Sequence, residues 1–236
     1  MSGLKVSDFK MFEKAPYKLR DYKNHLASLI MGIKEQEKTF GSAFAGRFIK
    51  NALRFIAQKT QEKTPEDIKN LDQLADYILS ISDKHPDASN AILYAQCKTE
   101  MELQGQSGAG TRIGTIGYQR SSGIAKPSSA KERNVDLDQL ISNLRKLGVD
   151  MKVAPFEYGY KKNEDESVDI ILPDCYLKSG CLMALDEGLL KRAVGGMDCG
   201  YSNVMCQFLK MYTGYEWDYK LLEFDKPHCI LRVFMI

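Results

Sequence analysis

The C-terminal stretch, residues 198–236, constrains the fold of this chain more than any other part. Apolar residues recur at helical spacing from Val204 to Tyr212, and Gly214 stands where a glycine that ends a helix is expected. Beyond that glycine, aromatic and charged residues alternate with the period of a half-buried strand. After a turn at residues 225–227, the sequence ends in an almost wholly apolar strand. The pattern predicts a helix, a tight turn, a strand, a turn and a final strand.

The rest of the C-terminal half, residues 135–197, also mixes helices with strands. A helix is predicted over residues 136–148, because an aspartate precedes its apolar stripe and a glycine ends it. Residues 151–156 and 168–172 are predicted to be strands, and residues 182–194 form another predicted helix. This order of elements is typical of an α+β fold, in which helices cover an antiparallel sheet.

The N-terminal half is predicted to be mainly helical and to pack on that sheet. Apolar stripes predict helices over residues 8–36 and 40–59. Thr64 and Pro65 are a typical helix start, and they predict a third helix that His85 and the following proline interrupt. Residues 91–103 are ambiguous, and we favour a strand there, or a short helix that passes into a strand.

A change of composition divides the chain into three regions. Residues 105–134 are rich in Gly, Ser, Lys and Arg and poor in hydrophobic residues, which predicts a long loop or linker. Residues 1–104 before it form the helical region, and residues 135–236 after it form the α+β domain. The glycine run at residues 105–114 lacks the Walker pattern and the dinucleotide fingerprint. A flexible loop is therefore favoured over a nucleotide site. Its backbone donors, with Arg112, Arg120 and Lys126, are an alternative anion site if the loop is ordered.

Charge and hydropathy limit the environment in which this protein works. The formal net charge is only +2 over 236 residues, which gives no electrostatic argument for binding nucleic acid or a membrane surface. No apolar run approaches the roughly 20 residues that span a bilayer, and the N-terminus has no signal-peptide apolar region. We therefore expect a cytoplasmic protein whose six cysteines are mostly reduced.

Four C-terminal residues form a candidate metal site. Cys199 and Cys206 are seven residues apart around the predicted helix, and His228 and Cys229 precede the last strand. Thiolate and imidazole together suit Zn²⁺, which is the candidate cofactor. Two alternatives stay open: a reversible disulfide between two of these thiols, and buried thiols that only pack, which is common for free cysteine.

Aromatic residues are concentrated in the same region of the chain. At this density they either line a pocket for a flat apolar ligand or form the core of a small α+β domain. The candidate ligand-binding residues are Phe156, Tyr201, Met205, Phe208, Tyr212 and Trp217.

The C-terminal half resembles the 4-vinyl-reductase-like (hydrocarbon-binding) domain family. In that family a cysteine precedes a helix, a hairpin follows, and a cysteine stands just before the last apolar strand. Cys199 and Cys229 occupy those two places. Residues 201–206 are also similar to the same helix in subunits of the TRAPP transport complex, which are distant structural relatives. The resemblance covers residues 135–236.

This resemblance implies a small-molecule-binding or sensor protein. The expected ligand is hydrophobic, with a tetrapyrrole-like compound as one candidate, and the cysteines offer a metal or redox input. A homodimer through the N-terminal helices is also implied. Two alternatives remain: a TRAPP-like dimeric interaction or scaffold protein, and a small-molecule hydrolase of the same superfamily. An enzyme is not favoured, because the chain has three histidines and no acid–base pair stands out.

Overall fold

The structure, a computed structural model, describes residues 4–13, 23–110, 112–113, 136–150, 157–173, 175, 177–192, 196–224 and 228–236. Its helices are α1 Lys23–Phe40, α2 Ser42–Thr60, α3 Leu71–Ile81, α4 Ala91–Gln104, α5 Leu137–Asp150, α6 Lys178–Asp186 and α7 Gly200–Thr213. Its strands are β1 Lys10–Met11, β2 Gly159–Lys162, β3 Val168–Leu172, β4 Trp217–Glu223 and β5 Cys229–Met235. None of the helices within these ranges combines the length and the hydropathy needed to cross a membrane.

The chain forms two compact units that alternate along the sequence. The helical unit comprises Leu19–Ser122 and Tyr176–Asp198. The sheet unit comprises Met1–Lys18, Gly123–Cys175 and Cys199–Ile236. The predicted α+β class is confirmed. Each unit is built from segments that are separated in the sequence. Neither unit coincides with one of the three consecutive regions that the composition suggested.

The core of the helical unit is built on α2 and α4. Phe44, Phe48 and Phe55 are fully buried along one face of α2, which confirms the helix predicted over residues 40–59. Asn51 of α2 donates a hydrogen bond to Thr99 Oγ1 of α4 at 3.1 Å, and both side chains are buried. The contact between the two helices therefore includes a satisfied polar pair as well as aromatic packing.

The strand favoured within residues 91–103 is wrong, because these residues lie in α4. Residues 91–97 are buried without interruption, so apolar side chains occupy every side of the helix. A helix that is surrounded in this way lacks the polar face that would give its sequence a helical period. Gly105 ends the helix in the left-handed conformation, with φ 70°.

The third predicted helix begins later than its sequence suggested. We expected Thr64 to cap it, but α3 begins at Leu71. The side chain of Asn70 accepts a hydrogen bond from the Gln73 backbone N–H at 2.9 Å. Asn70 is therefore the N-cap, a role for which Asn is as well suited as Thr.

Two other helix predictions are displaced along the chain. The helix expected over residues 182–194 is α6, which ends before Gly188, a residue with φ 68° that turns the backbone. Leu189 and Leu190 are buried outside any helix, and their hydrophobicity extended the apparent stripe. Residues 8–11, included in the first predicted helix, form the end of a 3₁₀ turn and strand β1.

The sheet unit contains an antiparallel sheet in the order β1-β2-β3-β5-β4. The predicted C-terminal helix and its two strands are confirmed as α7, β4 and β5, and Gly214, with φ 70°, follows the helix as expected. The strand predicted over residues 168–172 is β3, which is buried throughout. The strand predicted over residues 151–156 lies outside the described residues.

Helices α5 and α7 cover one face of this sheet. Tyr160, Ile170 and Leu231 lie opposite one another across β2, β3 and β5. The Tyr160 hydroxyl donates to Asp138 of α5 at 2.6 Å. Tyr219 of β4 projects from the same face, because alternate residues of a strand share a face, and it bonds to α7. This helix-covered face holds the candidate site.

Candidate functional site

The start of α7 is fixed to the sheet by one tyrosine hydroxyl. Cys199 is the N-cap of α7 and has extended backbone angles, φ −143° and ψ 113°. Its backbone N–H donates to the hydroxyl of Tyr219 at 3.0 Å. Asn203 Nδ2 donates to the same oxygen at 3.2 Å. Strand β4 therefore sets the position from which the first turn of α7 begins.

Two tyrosines meet at this first turn. Tyr201 of α7 packs against Tyr158, which precedes β2, with ring centroids 6.0 Å apart and planes inclined at 59°. Their hydroxyls are hydrogen bonded. Phe12 adds a third ring, whose centroid is 5.1 Å from that of Tyr158. These three rings form an aromatic group on the helix-covered face.

A buried guanidinium lies against this aromatic group. Arg145 of α5 is 5% exposed, and its Cζ is 5.2 Å from the centroid of the Tyr158 ring, within cation–π range. Its Nη2 also donates to the carbonyl oxygen of Glu13 at 2.7 Å. Arg145 is thus held by the ring and by the N-terminal segment together.

Burial and the charges around the first turn of α7 shift the pKa values of both tyrosines. Burial raises the pKa of Tyr201 well above its ordinary value, and the nearby Tyr158, Cys175 and Cys199 raise it further, while Arg145 opposes them. Burial also raises the pKa of Tyr158, against the opposing charge of Arg145. Both hydroxyls are therefore protonated at neutral pH. We call Tyr158, Tyr201, Arg145, Cys175 and Cys199 the tyrosine–arginine cluster.

The predicted ligand-binding residues extend along the whole of α7. Tyr201 belongs to the tyrosine–arginine cluster, in the first turn. The indole N–H of Trp217 instead donates to Thr213 Oγ1 at 2.9 Å, in the last turn. At 1.5 Å of rise per residue, these two turns are about 18 Å apart along the helix axis. Tyr201 and Trp217 therefore lie at opposite ends of α7.

The other predicted ligand residues lie between these ends or outside the described chain. Met205 is buried, whereas Phe208 and Tyr212 are only half-buried. The most deeply buried line of α7 includes Leu209, so Phe208 and Tyr212 lie on its flank. Phe156 is outside the described residues. Sequence periodicity located the helix, and the role of these residues in ligand binding stays a prediction.

The four predicted metal ligands are not gathered as a set. Cys199 caps α7, and Cys206 is buried within the same helix. His228 pairs instead with Glu223, whose Oε2 is 3.2 Å from His228 Nε2. Cys229 is buried at the start of β5. Within the described ranges, no three His, Cys, Asp or Glu side chains come together as a metal-holding group. A Zn²⁺ site therefore stays a prediction.

A second polar cluster, which sequence reasoning missed, lies inside the helical unit. Glu100 of α4 is fully buried. Its carboxylate accepts hydrogen bonds from Gln96 Nε2 at 3.0 Å and from the Gly108 backbone N–H at 2.6 Å, and also from the backbone of Gly110. We call residues 105–110 the glycine loop. Its backbone donors, considered above for an external anion, bind this internal carboxylate.

Burial raises the pKa of Glu100 to about 7. The negative charge of Asp198 raises it further, while the hydrogen bonds from Gln96 and the glycine loop act in the opposite direction. Asp198 is itself 3% exposed. The sequence around Glu100 has no pattern that would reveal this cluster. Most of α4 is buried, so a buried Glu does not stand out by its spacing, and Asp198 is far from Glu100 in the sequence.

The fold defines an α+β protein, and the tyrosine–arginine cluster lies at the start of α7. Comparison with protein-family models, with curated proteins and with solved structures finds no match to this chain. The resemblance to 4-vinyl-reductase-like domains therefore remains a prediction, which rests on the positions of Cys199 and Cys229.

Proposed function

We propose that the sheet unit binds a flat, hydrophobic small molecule at the start of α7. The supporting observation is the buried guanidinium of Arg145 against the ring of Tyr158, which packs in turn on Tyr201. Ligand sites are typically apolar and aromatic, with a few polar groups that fix orientation and titrate abnormally. The family resemblance supplies the ligand class, of which a tetrapyrrole-like compound is the leading candidate.

The cluster also suggests which polar substituent such a ligand carries. The raised pKa values keep the hydroxyls of Tyr158 and Tyr201 protonated and neutral at neutral pH. Arg145 contributes a positive charge whose planar donors suit a carboxylate. A flat molecule with an acidic side chain, as tetrapyrroles with propionate groups have, therefore matches this chemistry.

The two thiols of the cluster supply the proposed metal or redox input. Cys199 is the N-cap of α7 and acts electrostatically on Tyr201. Cys175 acts electrostatically on the same tyrosine. A metal bound to these thiols, or a disulfide between them, would change the charge beside Tyr201 and so the affinity for the ligand.

Pairing of two copies through the N-terminal helices is the remaining part of the proposal. It rests on the family resemblance alone. The apolar side chains of α2, such as Phe44 and Phe48, are buried inside the helical unit, so any such pairing would use the polar face of that helix.

The test is titration of the purified full chain with protoporphyrin IX. Trp217 is the sole tryptophan of the chain, and energy transfer to a bound porphyrin quenches its fluorescence. We expect saturable quenching, and we expect Arg145→Met to raise the dissociation constant at least about tenfold, since a charged hydrogen bond contributes about 1.5–3 kcal/mol.

The matched control is Lys146→Met, which removes an exposed positive charge from the next residue of α5. It should leave the affinity unchanged. Tyr201→Phe provides a milder second variant if Arg145→Met does not fold. Absence of saturable quenching, or equal weakening by Arg145→Met and Lys146→Met, would contradict the proposed site. Elemental analysis before and after Cys199→Ser tests the metal input separately.

A further inference from the structure

The environment of Glu100 leaves one hydrogen-bond acceptor unexplained. Gln36 of α1 is 1% exposed, and its Oε1 has no hydrogen-bond partner among the described residues. A Cβ added to Gly110 would collide with both Gln36 Oε1 and Glu100 Oε1. These two oxygens therefore converge on the same small space beside the glycine loop. An ionised Glu100 has no hydrogen to offer Gln36, whereas a protonated carboxyl has one.

We propose that Glu100 is held as a neutral carboxylic acid in the closed helical unit, and that loss of its proton releases the glycine loop. In the protonated form, Glu100 supplies the hydrogen that Gln36 Oε1 lacks. Gly108 and Gly110 meanwhile hold the loop to α4 through the other hydrogen bonds of the carboxyl group. We call this proton-dependent contact of Glu100 with Gln36, Gly108 and Gly110 the clasp. It does not rest on the proposed ligand site.

Of the charged groups near Glu100, Asp198 favours its neutral form. Asp198, on the segment of residues 189–198, adds like-charge repulsion when Glu100 ionises. Arg192 lies on the same segment, and Arg112 follows the glycine loop. On α4 itself, Lys98 pairs with Glu187 rather than with Glu100. The nearest side chains of α1 and α4, Gln36 and Gln96, are neutral amides.

Release of the loop would also break its hydrogen bonds to Lys191, which follows α6 in the same unit. Ser107 of the glycine loop donates its N–H to the Lys191 carbonyl oxygen at 2.8 Å, and its hydroxyl bonds to the Lys191 backbone. The protonation of Glu100 therefore controls the contact between the glycine loop and Lys191.

Proton linkage gives the size of the effect. The pKa of Glu100 is about 7 when the loop is closed, against an ordinary value of 4.5, which applies once the opened loop admits water. The equilibrium for loop opening should therefore rise about tenfold per pH unit between these values. The total rise is about 300-fold, and the equilibrium is constant above pH 7.

The experiment is hydrogen exchange of the Gly108 and Gly110 amides in the intact protein, measured by NMR across this pH range. Rates are divided by the intrinsic exchange rate at each pH, so that only opening is compared. We expect protection to fall about 300-fold between pH 4.5 and pH 7. A parallel carbon-13 titration of the Glu100 carboxyl should have its midpoint near neutral pH.

Glu100→Gln cannot ionise, so the protection of both amides should not depend on pH in that variant. The control is Glu102→Gln, which removes an exposed carboxyl from the same helix and should behave like the unmodified protein. Asp198→Asn removes the like charge and should lower the midpoint of the transition. If Glu100 titrates near its ordinary value of 4.5, or if loop protection in the unmodified protein is independent of pH, the clasp is refuted.

Discussion

Replacing Glu100 with glutamine should remove the pH dependence that this carboxyl gives to the stability of the helical unit. The pKa of Glu100 is raised from 4.5 to about 7 on folding. A raised carboxyl pKa contributes stability that is complete below pH 4.5 and is lost as the pH rises to 7. At about 1.4 kcal/mol per pH unit, the shift corresponds to about 3 kcal/mol in the free energy of unfolding.

The glutamine variant differs from the unmodified protein in one further respect, which does not vary with pH. Its amide oxygen accepts the Gly108 N–H, and its amide nitrogen donates to Gln36 Oε1. Gln96 Nε2, which donates to Glu100 in the unmodified protein, then faces another donor. That conflict costs about 1 kcal/mol at every pH, the contribution of one hydrogen bond. The slope of the stability difference with pH therefore isolates the titration of Glu100.

The measurement is urea unfolding followed by far-UV circular dichroism from about pH 4.5 to about pH 8. The stability of Glu100→Gln relative to the unmodified protein should rise by about 3 kcal/mol over this interval and then stay constant. Glu102→Gln, in which the carboxyl is exposed, controls for the change of net charge. A stability difference that does not change with pH would show that Glu100 is not protonated in the folded protein, and the reasoning would fail.

Two further predictions concern packing. Arg232→Met should lower the free energy of unfolding, measured in urea, by about 3 kcal/mol. The reason is that Asp169 is fully buried and Arg232 donates to both of its carboxylate oxygens, at 2.6 and 2.8 Å. Adding Asp169→Asn to the Arg232→Met variant should recover part of the loss. Gly180→Ala should be destabilising, since its Cβ would lie 2.8 Å from the Asn90 carbonyl oxygen. The matched change in α2, Gly46→Ala, places a Cβ with no atom within 4 Å. It should stabilise the protein by about 1 kcal/mol, as measured by thermal unfolding. Equal melting temperatures for the two glycine variants would contradict the packing argument.

The elements that sequence predicted well are those whose signals are local. The helix α7 and the strands β4 and β5 follow from helical spacing, from alternation and from Gly214, and each signal acts within one element. Strand β3 was found in the same way, from its short apolar run. The patterns of α7 and β4 need no knowledge of distant parts of the chain, because one face of each is more buried than the other. Strand β3 is buried throughout and is marked by its apolar run alone.

The parts that sequence could not predict depend on contacts between distant residues. Helix α4 lacks a helical period because other elements surround it. Arg145 looks like any polar residue of an amphipathic helix until Tyr158 packs beneath its guanidinium. The Glu100 cluster joins side chains of Gln36 and Asp198 to the glycine loop, and no spacing in the sequence connects these positions.

The distribution of exposed side chains determines which surface of the N-terminal helices a second copy would meet. Pairing of two copies through the N-terminal helices, as the family resemblance implies, would meet a polar surface on α2. The described part of α2 exposes basic residues such as Arg47, Lys50 and Arg54, and its phenylalanines are buried. None of the large apolar side chains found exposed in the described chain lies on α1 or α2. The proposed ligand site rests on a different surface, where the buried guanidinium of Arg145 lies against the ring of Tyr158.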